Sequence, residues 1–181
     1  MVQELVERIR NHDQQAMRQL YQRYVEQLTS VCYRYVPTEE DTKDVLQNSF
    51  VKIFTLLPAF EYRGEVPFMS WMTRIVVHEA IGLLRERKKL RFVDLDKISP
   101  QQLGEDAEPD ASPLLPDELH SLISELPDGY RLVLNLYVFE GYSHKQIAEL
   151  LGIREGTSAS QLYFAKKLLA SKIKKLINDR Q

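Results

Sequence analysis

The pair His78-Glu79 comes nearest to a catalytic signature in this chain. On a helix, two histidines four residues apart, with a glutamate after the first, hold zinc and supply a general base. Position 82 is Gly, so the second ligand is missing. The other histidines, His12, His120 and His144, are scattered, with no cysteine cluster near any of them. The single cysteine, Cys32, rules out an internal disulfide, and its neighbours Val31 and Tyr35 suggest a buried thiol. Seven glycines include no phosphate-cradling loop, and the acids Asp41 and Asp44 on one helix face imply no cleft. The residues point away from catalysis and call for no metal or cofactor.

Recognition is the better-represented chemistry. The stretch YSHKQIAELLGIREGTSASQLYFAKKLL, residues 142–169, reads as two helices joined by a tight turn. Ser143 to Gln146 has the spacing of a capping box, and Gly152 supplies the left-handed turn residue. Ile147 and Leu151 pack inward, and Ala148 is small where the helices cross. Thr157, Ser158, Ser160, Gln161 and Tyr163 are expected at the exposed start of the second helix, where hydroxyls and an amide reach bases or phosphates. Lys166 and Lys167 follow. A plain helical hairpin with a solvated basic tail is the competing reading. Arg154 is a poor cap for this helix, and Ala159 and Phe164 stand where cations would help.

Two further stretches carry recognition chemistry. DTKDVLQNSFVKIF, residues 41–54, spaces Asp41, Asp44 and Asn48 along one face, with Val51 near it and Gln47 beside it. A mixed acidic and apolar face suits a protein partner, although a merely solvated face has the same pattern. YRGEVPFMSWMTRIVVHEAIGLLRERKK, residues 62–89, interleaves Tyr62, Phe68 and Trp71 with Arg63, Arg74 and a basic helix end. That combination suits stacking on single-stranded bases and gripping of their backbone. Trp71 as a core residue, and helix-end cations as complements to the dipole, are the plainer readings.

The elements that position these residues are helices. Apolar residues from Met17 to Tyr35 recur with helical period, with Asp13 as N-cap and Pro37 just past the end. Thr38 and Asp41 open a second helix over about 39–57, stopped by Pro58. Ser70 is the expected cap of a third. Residues 92–116 lose the period and gather four prolines among acids, the pattern of an extended linker. Helices then resume near Asp117, with Pro127 and the Glu140-Gly141 turn as breaks. No segment alternates long enough for a strand. The expected architecture is all-α: a helical domain over 1–91, a linker over 92–116, and a helix-turn-helix bundle over 117–181.

Charge follows the same division. The chain of 181 residues has a net charge of −2, yet residues 92–118 hold eight acids against one lysine and the flanking parts are net basic. Bulk acidity therefore says nothing against nucleic-acid binding, whose electrostatic footprint is local. The first ten residues are charged throughout, unlike a signal peptide, and no apolar run reaches the roughly 20 residues of a membrane span. A cytoplasmic location is expected.

In their order and spacing across an acidic linker, four stretches make the chain resemble a bacterial extracytoplasmic-function (ECF) sigma factor. They are DTKDVLQNSFVKIF, FMSWMTRIVVHEAIGLL with its basic end, LPDGYRLVLNLYVFEGYSHKQIAELLGI, and GTSASQL before a basic helix. The last two are also similar in wording to Bacteroidetes members. The resemblance implies docking on core RNA polymerase through Asp41, Asp44, Val45, Gln47, Asn48, Val51 and Phe54. It implies capture of unpaired minus-ten bases by Arg63, Phe68, Ser70, Trp71, Arg74 and His78, with Arg85, Lys88 and Lys89 at the helix end. Duplex at the minus-thirty-five element would be read by Thr157, Ser158, Ser160, Gln161, Tyr163, Phe164, Lys166 and Lys167, with Arg131 and Ser143 on adjoining elements.

The implied partners are the largest and second-largest polymerase subunits, promoter DNA, and an anti-sigma factor, membrane-bound or soluble. The free protein would be a monomer. Departures from the family pattern are His78 for the common Asn, Asn48 for an acid, Gly82 for a polar residue, and Ala159 and Phe164 for cations; Ser158 takes the place of a packing aliphatic residue. Two other readings stay open: a dimeric helix-turn-helix regulator acting without polymerase at palindromic half-sites, and a sigma-like adaptor that binds core enzyme without directing initiation.

Overall fold

The computed structural model describes residues 1–87, Phe92 and residues 110–180. These form eight α-helices and one 3-10 turn, with no strand among the described residues. None of the helices is long and apolar enough to cross a membrane. Chain contacts divide into two compact units, Met1–Arg87 and Lys88–Gln181. Most of the acidic 92–116 segment, together with Lys88, Lys89 and Arg91, lies outside the described residues.

The first unit begins with a helix that the charged N-terminal sequence did not suggest. In α1 (Val2–Arg10), Val2, Val6 and Ile9 are buried along one stripe, and the charges occupy the other faces. Helix α2 (Gln14–Tyr35) starts at Asp13, whose carboxylate accepts from the Gln15 and Ala16 amides at 2.8 and 3.1 Å. Cys32 is buried in it, and burial pushes its thiol up to about 12. Helix α3 (Glu39–Leu56) starts at Thr38, whose hydroxyl accepts from the Asp41 amide at 3.2 Å. It ends in the 3-10 turn Leu57–Ala59, where Pro58 breaks the ladder.

Helix α4 (Glu65–Glu86) starts earlier than expected. Its N-cap is Gly64, at φ 122°, a conformation that favours glycine. Pro67 fits the first turn because the N–H it lacks would have no intrahelical partner there. Ser70 is therefore not a cap; it lies in the second turn, and its hydroxyl donates to the Val66 carbonyl at 3.0 Å. Helices α2, α3 and α4 enclose a core that includes Leu20, Leu28, Ile53, Phe68, Met72 and Val76.

The second unit contains α5 (Pro116–Ser124), α6 (Asp128–Val138), α7 (His144–Leu151) and α8 (Glu155–Asn178). Pro116 occupies the first turn of α5, and the Glu118 carboxylate accepts from the Leu115 amide at 2.9 Å. The expected capping box at Ser143 is formed: the Ser143 hydroxyl accepts from the Gln146 amide at 3.2 Å, and the Gln146 side chain accepts from the Ser143 amide at 2.9 Å. Gly152 ends α7 in the left-handed conformation at φ 68°, so α8 can fold back on α7 and α6. Leu162, Ala165, Leu169 and Ile173 form the buried stripe of α8.

Candidate nucleic-acid interface

Helix α4 presents an outward stripe on the first unit. Ser70, Arg74, His78, Gly82 and Arg85 follow one another at three- and four-residue steps, and all are exposed. Arg63, in the loop before the helix, is exposed as well and pairs with Glu61 at 2.7 Å. Both side chains are more than two-thirds in solvent, so that pair contributes little and does not keep Arg63 from an anion. His78 lies among Arg74, Lys52 and Arg85. Partial burial lowers its imidazole pKa and these cations add to the effect, while Glu79 opposes it. The ring is thus neutral at neutral pH and can offer both a donor and an acceptor to a base edge.

The aromatic residues divide differently from the sequence reading. Phe68 has no exposed surface, so it stacks on no base. It is the hub of a ring cluster, with Phe60, Trp71, Tyr24 and Tyr62 centred 5.4–5.8 Å away. Trp71 is half-buried, with one side against Phe60 at 4.4 Å. The cause is helical phase: position 68 falls on the stripe of Met72 and Val76, the core face of α4, whereas position 71 falls at its edge.

Helix α3 presents Asp44, Gln47, Asn48 and Val51 outward, with Phe54 half-buried beside them. Val51 is 61% exposed, which is high for an apolar side chain and consistent with a contact face. Two expected members of that face point the other way. Val45 is in the core, and Asp41, 3% exposed, pairs with the Arg87 guanidinium at the end of α4. Asp41 sits in the first turn of α3, where α4 crosses, and burial beside a cation holds it there instead of presenting it.

The second unit corrects the sequence reading most. Thr157, Ser158, Ser160 and Gln161, expected at the exposed start of the second helix, are all buried. They share the buried side of α8 with Leu162 and Ala165. The Ser160 hydroxyl donates to the Thr157 carbonyl at 3.0 Å, and the Ser158 hydroxyl meets His144 Nδ1 at 3.0 Å. A polar side chain on a helix packed by its neighbours is not thereby exposed.

The solvent side of α8 is instead the stripe Gly156, Ala159, Tyr163 and Lys167, with exposed Lys145 and Arg154 on the flanking elements. Arg154, the N-cap of α8 with no side-chain capping bond, directly precedes this stripe. Lys166 and Phe164 are half-buried, and Phe164 stacks on Tyr130 at 6.3 Å.

Arg131 is likewise not on the surface. It is 4% exposed and donates to the Ser124 and Leu126 carbonyls at 3.2 and 2.7 Å while pairing with Asp128. Its guanidinium binds the last carbonyls of α5 and the connecting turn, a structural use of its fixed fork of donors. Ser143 stays exposed at the start of α7, and Lys88 and Lys89 lie outside the described residues.

Two family models match the chain: one described as Sigma-70 region 2 over residues 20–90, the other as Sigma-70, region 4 over residues 117–169. The ECF RNA polymerase sigma-E factor of Salmonella typhimurium (strain LT2) is 32% identical over 186 residues, covering 97% of this chain and 95% of that protein. The corresponding factor of Escherichia coli K12 is 31% identical, with the same coverage. The solved structure of the sigma factor RpoE from Bartonella quintana, in complex with the anti-sigma factor NepR, covers 87% of this chain and 96% of its own. Its TM-score is 0.51 at 18% identity, a likeness of fold.

Proposed function

The chain belongs to the extracytoplasmic-function sigma factors, and we propose that it directs promoter-specific initiation through three separate surfaces. The exposed part of α3, from Asp44 through Val51 to Phe54, docks on core RNA polymerase. Arg63 and the α4 stripe of Ser70, Arg74, His78 and Arg85 take the unpaired minus-ten strand, with the open side of Trp71 as a stacking surface. In the second unit, the α8 stripe with Arg154 and Lys145 enters the minus-thirty-five major groove. Ser143 and Lys166 stand where phosphates would pass. Buried Thr157, Ser158, Ser160 and Gln161 set the angle of α8 and do not read bases.

The chain performs no bond chemistry on this reading; the polymerase does. Core enzyme also supplies much of the DNA grip, so a net-acidic factor needs only local cationic stripes. An anti-sigma factor is the expected regulator, as the complex of the RpoE structure illustrates for that protein. The observation that carries the reading is the outward α4 stripe beside exposed Arg63, in a chain whose other unit holds a capped helix-turn-helix.

Run-off transcription with purified core polymerase and genomic DNA tests it. Discrete transcripts that require the chain, from promoters with paired non-palindromic elements, are expected. Transcripts indistinguishable from those of core enzyme alone would exclude it. Within that assay, His78→Asn should change the base tolerated in the minus-ten element while leaving polymerase affinity intact.

A further inference from the structure

The loop Phe60–Gly64, which carries Arg63, has no regular structure. Both of its ends are nevertheless tied to helices that present nothing to the DNA stripe. At the first end, Arg10, the last residue of α1, donates from Nη2 to the Phe60 carbonyl at 2.5 Å. Glu7, one turn back on α1, holds the same guanidinium at 2.6 Å through Nη1. The Phe60 amide donates to the Leu57 carbonyl at 3.0 Å, so both backbone polar groups of that residue are fixed. At the other end Glu65, the first residue of α4, accepts from the Tyr24 hydroxyl at 3.0 Å and from Arg23 at 2.9 Å, both on α2.

Tyr24 is buried, and burial together with Glu65 pushes its pKa up to about 12, so the hydroxyl keeps its donor proton. Between these ties the chain alternates. Tyr62 is half-buried against Phe68, while Glu61 and Arg63 face solvent.

We infer that Arg10, with Tyr24 and Glu65, forms a two-ended brace that sets the loop in its strand-capturing conformation before DNA arrives. Helix α1 lies outside the stretch matched to region 2, residues 20–90, and the brace gives it a role. Arg10 and Tyr24 are positioning residues: neither faces the stripe. The physical gain is preorganisation. Ordering one backbone residue at the moment of binding weakens binding by roughly five- to thirtyfold, and a loop already fixed avoids that loss. The inference rests on the reading of this loop as a strand-capture element.

Two readouts keep the inference and that reading apart. The first is amide hydrogen exchange in the free full-length chain at the two ends of the loop, read at the Phe60 amide, bonded to the Leu57 carbonyl, and the Phe68 amide, bonded to the Gly64 carbonyl. Arg10→Met keeps the aliphatic stem but removes the donor, and Tyr24→Phe removes only the hydroxyl. Exchange should quicken roughly tenfold in Arg10→Met, the order expected for one charge-assisted hydrogen bond, and severalfold in Tyr24→Phe. Arg10→Lys, which can still donate to the Phe60 carbonyl, should recover part of the protection.

The second readout is holoenzyme affinity for a bubble template, made from a promoter that the wild-type holoenzyme selects in run-off. It should fall by about the same factors, with core-polymerase affinity unchanged. Exchange and bubble affinity at wild-type values in both variants would overturn the brace. So would losses that track the melting temperature and show no rescue by lysine. A wild-type holoenzyme with no preference for the bubble over a shuffled one would refute strand capture, while the exchange result still decides whether the brace exists.

Discussion

Arg131 shows how a side chain's surroundings outrank its chemical type. An arginine beside a DNA-reading motif invites a phosphate contact, but this one is buried on two carbonyls and a carboxylate. Arg131→Ala should lower the stability of the second unit by about 3 kcal/mol, because it leaves buried acceptors and Asp128 without their partner. Thermal unfolding followed by circular dichroism checks this; an unchanged melt with weakened promoter binding would return Arg131 to the DNA.

His144 makes a second point at this scale. Stacked on Tyr137 at 4.7 Å and joined to Ser158, it has a pKa lowered from 6.5 by burial, with Glu155 opposing and Lys166 adding to the effect. The unfolded chain therefore takes up this proton first as pH falls. Stability contributed by the neutral ring is present above pH 6.5 and declines as pH drops below it. Between pH 7 and 5, the melting temperature of His144→Gln should fall less than that of the wild type.

At the scale of elements, α3 places two nearby carboxylates in different surroundings. Asp41 is turned into the α3–α4 junction to pair with Arg87, while Asp44 stays half in solvent, 4.0 Å from the same guanidinium. The two acids should separate cleanly in mutation. Asp41→Ala should cost about 2 kcal/mol of stability, since a buried pair is broken. Asp44→Lys should leave the melting temperature nearly unchanged and weaken core-polymerase binding, because it reverses charge on the proposed docking face. Equal effects on both quantities from the two variants would mean that α3 has no such division. The second unit follows similar logic: four polar residues lie on the buried side of α8, Ser158 among them meeting His144 of α7, and the proposed DNA-reading stripe is on the other side.

For the molecule as a whole, each unit has its own core: Leu20, Leu28 and Met72 in one, Leu132, Leu136 and Ile147 in the other. Fragments 1–91 and 110–181 should therefore each show helical circular dichroism and a cooperative melt. A fragment that melts without cooperativity would mean that its core is incomplete alone. Promoter binding by the holoenzyme should weaken steeply with salt, as expected when local cationic stripes displace counterions from phosphate.

The helices, most of their breaks and the helix-turn-helix were legible in the sequence because each rests on local physics. Asp13, Thr38 and Ser143 satisfy orphan amides within three residues of themselves, and Gly152 is the residue that most easily takes the left-handed turn. Arg74, His78 and Arg85 were named together through the family resemblance, and helical spacing explains why they fall on one face. Which polar residues would be sacrificed to packing was not. Asp41 and Ser158 are buried where the end of α4 and the start of α7 meet them, and Arg131 closes on the Ser124 and Leu126 carbonyls, outcomes that neither periodicity nor residue type states. The amphipathic α1 was hidden by its charges, and its tie from Arg10 to the Phe60 carbonyl spans fifty residues. Local hydrogen bonding and periodicity are written into short stretches of chain, whereas burial is a property of a side chain and its partner together, and only the tertiary structure brings the partner.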